Sequence, residues 1–162
     1  MRIRIGGSLR TGVIGTALII CAAGTAGATG VATIIHARQR HFHELSRTAH
    51  ALRDQIDRSH PNWAAVTADA RRIDRLASAL PSWFPAGSGK GHGVETRART
   101  VIWTHPLQFA RFARQLLRRA QDLKESIDSR DLRAVRLRAR RLGQSCGSCH
   151  RRFRGSGSWW HL

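Results

Sequence analysis

Cysteine is scarce in this chain, three in 162 residues, which is too few for a disulfide framework. A disulfide-stapled mini-protein is excluded, and with no second cysteine pair a four-ligand zinc site is also short of ligands. Acidic residues number 10 against 28 Lys plus Arg, so the formal charge is +18. No carboxylate pair, Ser-His-Asp set or second metal-ligating cluster stands out, and the chain reads as a non-enzyme. Alternating apolar and polar runs are missing, which leaves nothing from which to build a sheet. There is no internal repeat. Methionine occurs once, at Met1.

What is present begins with an N-terminal export pattern. Arg2, Arg4 and Arg10 precede Thr11 to Ile35, a run without a charged side chain that also contains Cys21. Val13 to Ala23 has the length of a signal-peptide core, and Ala26-Gly27-Ala28 offers small residues for cleavage. Residues 1–28 are expected to be a signal peptide, cut after Ala28, which puts the rest in the periplasm. The alternative is an uncleaved anchor reaching about residue 35, holding the protein to the inner membrane and facing the periplasm. Either location argues against nucleic acid as the partner of the basic residues, 26 of which are Arg.

Beyond the leader, apolar residues recur at helical spacing in four segments. The first carries Phe42, Leu45, Ala49, Leu52 and Ile56 and must end before Pro61. The second carries Val66, Ala70, Ile73, Ala77 and Leu80 and is expected to end at Pro81. From Pro81 to Thr96 the chain is rich in Gly, Ser and Pro and reads as a loop. The third helix starts near Pro106 and carries Phe109, Phe112, Ala113, Leu116, Ala120, Leu123 and Ile127. Ser129 reads as the N-cap of the fourth, with Asp131 in its first turn. That helix carries Leu132, Val135, Ala139, Leu142, Cys146, Cys149 and Phe153 without a break in the stripe. The expected fold is all-α, an antiparallel four-helix bundle spanning 29–154, followed by a flexible tail, 155–162.

The chemistry lies on the last stripe. Cys146-Gly147-Ser148-Cys149-His150 has the form of a c-type haem attachment site. Two thiols three residues apart share a helix face and can form thioethers to one edge of a porphyrin, while His150 is placed to hold the iron. A redox dithiol would sit where a strand meets a helix, whereas this pair follows several helical turns. One covalently held haem c near the C-terminus is expected, buried between helices.

These residues resemble the class II cytochromes c, the family of cytochrome c prime. Cys146 to His150 is followed by Phe153-Arg154, as in the family, and 36 residues lie between Phe109 and Cys146 without a gap. The loop Phe84-Pro85-Ala86-Gly87-Ser88 and the Ile102-Trp103 pair are similar to family landmarks. Arg38 and Phe42 match the family's first-helix Arg and the residue four beyond it. The resemblance covers roughly Thr29 to Arg154.

The resemblance implies that His150 is the proximal iron ligand and that Phe42 faces the other side of the metal. Low-spin members carry a Met there, but the single Met of this chain is Met1. It further implies that Arg38 lies near a haem propionate and Arg154 beside the proximal histidine. A Phe cannot coordinate, so the expected function is one-electron redox chemistry and binding of small gases, NO or CO, at a pentacoordinate high-spin haem. The alternative is a six-coordinate low-spin electron carrier with a second His ligand. His41 and His43 flank Phe42, and His36, His43 and His50 repeat every seven residues. A reading of another class is a haem-free basic module that grips anionic surfaces. Weak peroxidase-like activity would follow from an open haem.

The expected partners are gas ligands and a redox protein of acidic character or an anionic membrane surface. The docking expectation comes from Arg111 to Arg141, with eleven Lys or Arg against four acidic residues. The family also implies a homodimer through the first two helices. Trp159 and Trp160 end the tail on a Gly-Ser spacer.

Overall fold

Prolines and polar caps set the helix limits in the computed structural model, which describes residues 25–156. Helix α1, Thr25–Ile56, ends ahead of Pro61. Helix α2, Trp63–Ala79, starts at Asn62, whose side chain accepts from the Ala65 amide at 3.1 Å and satisfies one orphan donor. Pro81 does not stop the chain there. It falls in the first positions of a 3-10 turn, Leu80–Trp83, where its missing N–H has no bond to forfeit.

Two local assignments differ from the sequence reading. A short helix α3, Val101–Thr104, precedes α4, Pro106–Ser126, and a single turn has too few residues for a periodic signal. Helix α5, Leu132–Phe153, is capped by Asp131, not by Ser129. The Asp131 carboxylate accepts from the Arg133 and Ala134 amides at 2.9 and 3.2 Å. The Ser129 hydroxyl turns back and donates to the Ser126 carbonyl at 2.8 Å, closing α4 instead. A charged carboxylate with two acceptor oxygens suits a helix N-terminus better than a hydroxyl.

The four long helices pack antiparallel in chain order: α1 on α2, α2 on α4, α4 on α5. The predicted stripes form one core of buried residues that includes Leu52, Val66, Ile73, Leu116, Leu123 and Val135. Arg136 ties the far end of the bundle, its Nε donating to the Ile56 carbonyl at 2.6 Å and its Nη2 to Arg58 O at 3.3 Å. The circle closes loosely, because α1 and α5 touch far less than the other neighbours. Along that seam the stripe residues Phe42 and Ala49 of α1 and Ala139, Cys146 and Cys149 of α5 are only half-buried.

The expected cleavage point after Ala28 falls in the first turn of α1, and residues 1–24 and the Trp159-Trp160 tip lie outside the described residues. Among the described residues no helix is long and apolar enough to cross a membrane. They contain no strand, only an isolated antiparallel bridge between Ala98 and Arg154.

Candidate functional site

Helix α5 brings Cys146 and Cys149 to one face through their three-residue spacing. Both are free thiols, half-buried and packed against the hydrophobic core. Burial pushes the Cys149 thiol up to about 11, with the neighbouring Cys146 adding to the effect. Burial also raises Cys146, against a smaller opposing pull from its own backbone and Arg53. Both are protonated at neutral pH, opposite to the depressed values of catalytic or redox-active thiols. Among the described residues no three His, Cys, Asp or Glu side chains gather as a metal-binding group.

His150 follows directly and is exposed. Partial desolvation holds its imidazole below the ordinary value, and the positive charges of Arg154 and Arg97 lower it further. The ring is therefore neutral at pH 7, the form that can ligate a metal.

Across the loose seam, Phe42 lies in an aromatic string. It meets Trp83 edge-on with ring centroids 5.2 Å apart and Phe84 at 6.0 Å. Phe84 packs on Phe109 at 4.8 Å, and Phe109 and Phe112 each meet Phe153 at 5.3 Å, so one string of rings links α1 to α5. Edge-to-face pairs of this kind contribute roughly 0.5–1.5 kcal/mol each beyond their buried area. The three heptad-spaced histidines, His36, His43 and His50, are all exposed. His41 is half-buried and its ring stacks on Trp83 at 4.8 Å.

Arg38 has the least ordinary environment at this end. It is 3% exposed, yet its guanidinium has no carboxylate partner among the described residues. Nη1 donates to the Ser88 carbonyl at 3.1 Å and hydroxyl at 3.2 Å, and Nη2 donates to the Thr96 hydroxyl at 3.0 Å. The cation also sits 4.7 Å from the centre of the Phe84 ring and 5.7 Å from that of Trp103. Burial lowers its pKa. A buried cation held only by neutral dipoles is costly, and an anionic group brought beside it would offset that cost.

The sequence reading missed Ser88 and Thr96, whose role depends on a turn that folds the loop back over α1. Gly87 supplies the left-handed step there, at φ +78°, and the Trp103 indole pins the loop by donating to Pro85 O at 2.9 Å. It also missed a strap formed by Arg97, Ala98 and Arg99. The Arg99 amide donates to Phe153 O at 2.9 Å and the Gly155 amide to Arg97 O at 2.8 Å, fastening the chain just past His150 and holding Arg97 and Arg154 close together. No composition or periodicity signal marks such a pairing.

The residues fit a porphyrin carrying two acid groups. Two neutral thiols on one helix face, an adjacent neutral imidazole, a loosely closed apolar seam and a buried unpaired cation are what such a group requires of its host. Fold and site together define a four-helix haem c bundle. The family model for cytochrome c' matches residues 33–154, and the chain belongs to that family, whose proteins carry covalently bound haem c. The relatives agree. A cytochrome c-554 of Cereibacter sphaeroides is 34% identical over 96 residues, 58% of this chain and 71% of that protein. Among solved structures, cytochrome c' from Thermochromatium tepidum superposes with a TM-score of 0.72 at 21% identity, covering 78% of this chain and 97% of that one. A cytochrome c' with ligand-controlled dimer dissociation gives 0.73 at 23% identity with the same coverage. A nitric oxide complex of a cytochrome c prime variant from Alcaligenes xylosoxidans gives 0.68 at 20%, covering 76% and 94%. At these identities the structural likenesses establish the bundle.

Proposed function

We propose that the protein is an exported one-electron haem protein that also binds a diatomic gas. Cys146 and Cys149 are its attachment residues, His150 is the proximal ligand, Arg38 receives an acid group, and Phe42 closes the opposite side of the seam. Bound there, haem c supplies one-electron exchange and a metal that takes NO or CO. The chain's own part is positional. Helix α5 holds the thiols and imidazole in one register, and the strap at Arg97 to Arg99 fixes the end of that helix. Burial favours the neutral imidazole, and Arg154, beside Arg97, adds positive charge that favours it further.

The observation that carries the five-coordinate reading is the character of the Phe42 side. Phe42 is held by Trp83 and Phe84 and cannot ligate. His43, the first candidate for a sixth ligand, is exposed, and His41 is stacked on Trp83. An apolar ceiling of this kind favours small neutral ligands over bulky or anionic ones. The homodimer through the first two helices is part of this reading, since cytochromes c' form dimers.

The test is covalent haem retention. Protein from a host that matures c-type cytochromes should keep peroxidase-stainable haem through denaturing electrophoresis, and Cys146→Ser/Cys149→Ser should lose it. A blank wild-type band would leave only the basic anionic-surface module.

A further inference from the structure

The charges of this molecule are sorted along the bundle. Seven of its ten acidic residues lie toward the end away from His150: Asp54 and Asp57 where α1 ends, Asp69 in the first half of α2, and Asp122, Glu125, Asp128 and Asp131 from the end of α4 to the start of α5. The exceptions are Glu44, in an ion pair with Arg72, Asp74, in an ion pair with Lys124, and Glu95, in the loop before the strap. Helix α5 has no acidic residue.

Around His150, Arg97, Arg99, Arg151 and Arg152 are each held by a hydrogen bond. The Arg97 Nε donates to Gly155 O at 3.2 Å, and Arg99 Nη1 to Arg152 O at 3.1 Å. Arg151 Nη2 donates to the Ser148 hydroxyl at 3.2 Å, and Arg152 Nε to the Gln108 side-chain oxygen at 3.1 Å. Every one of these acceptors is neutral, and none of the four arginines takes part in an ion pair among the described residues. Ordinary solvated arginines would be mobile. These have already lost part of their side-chain freedom, so an anionic surface can meet them at reduced entropic cost. The basic stretch read from the sequence, Arg111 to Arg141, differs in this respect, since its Arg119, Lys124 and Arg138 face Asp122 and Asp74.

We propose that the arginine rim formed by Arg97, Arg99, Arg151 and Arg152 is the docking surface for an acidic protein that carries its own one-electron centre. This rests on the haem-redox reading above. One electron passes between this chain's haem and the partner's centre, one oxidised as the other is reduced, with no proton or further reactant. The rim lies at the same end of α5 as Cys149 and His150, which keeps the transfer distance short. The sorted charge turns that end toward an acidic surface during encounter. A lipid surface would be satisfied by positive charge anywhere, whereas an electron partner needs it here.

The test uses the reduced holoprotein and two small oxidants, hexacyanoferrate(III), an anion, and tris(phenanthroline)cobalt(III), a cation. The anionic oxidant should react faster at low salt and slow as salt rises, and the cationic one should do the reverse. Arg97→Gln/Arg151→Gln/Arg152→Gln should slow the anionic oxidant about tenfold at low ionic strength. Arg58→Gln/Arg130→Gln/Arg133→Gln, which removes the same charge at the other end, where α1 gives way to α2 and α4 to α5, should change it less than about twofold. An octaglutamate peptide should shift the backbone amides of 97–99 and 151–154. Equal slowing by both triple variants, or rates indifferent to charge and salt in the wild type, overturns the docking surface alone. Failure of either oxidant to take an electron removes the redox reading beneath it. Loss of phosphatidylglycerol-vesicle binding by the rim variant with unchanged oxidant kinetics replaces the protein partner with a membrane and also overturns the proposal.

Discussion

Replacing Phe42 with methionine separates a residue that faces the iron from one that merely fills the core. The packing cost follows from two edge contacts, to Trp83 at 5.2 Å and Phe84 at 6.0 Å. Such pairs are worth roughly 0.5–1.5 kcal/mol each, while a volume-conserving apolar swap alone costs under about 1.5 kcal/mol. Phe42→Met should therefore lower urea stability by about 1–2 kcal/mol. The informative change is in ligation. If the new thioether occupies the metal nine-tenths of the time, a preference of about 1.3 kcal/mol, carbon monoxide must displace it and its apparent affinity falls about tenfold. Absorption spectra of the ferrous variant should show sharp low-spin bands, and a carbon monoxide titration should give the weaker affinity. A variant that loses stability while keeping the wild-type spectrum and gas affinity would refute the reasoning, leaving residue 42 as core packing only.

Two further outcomes bear on the scaffold. Asp131→Ala removes both amide contacts at the start of α5 and should cost about 1 kcal/mol, lowering the thermal midpoint by several degrees while leaving the haem spectrum unchanged. Burial raises the Asp69 carboxyl above its ordinary 3.8, so the folded chain holds that proton to higher pH than the unfolded chain. The resulting cost grows as pH climbs from 3.8 through the raised value and is present in full at pH 7. Asp69→Asn should raise the urea midpoint at pH 7 and leave it unchanged near pH 3.

The bundle was legible because burial imposes a period. Every long helix shows its stripe, and Pro61 and Pro106 mark boundaries through a missing amide hydrogen, which is a local property. Cys146, Cys149 and His150 were legible for the same reason, since their spacing on one helix is itself the geometry. Arg38 could be proposed only by resemblance. What makes it a buried cation, the folding-back of Ser88 and Thr96, is a contact between residues 50 and 58 positions apart. The strap at Arg97 to Arg99 likewise exists only through its pairing with Phe153 and Gly155. Ser129 misled because both it and Asp131 are good cap residues, and the choice between them depends on where α4 ends.

The most direct measurement is the absorption spectrum of the purified, dithionite-reduced protein before and after carbon monoxide. The apolar face proposed to lie opposite His150 predicts broad high-spin bands that convert on addition of the gas. A colourless protein, or sharp low-spin bands that the gas leaves untouched, would contradict it.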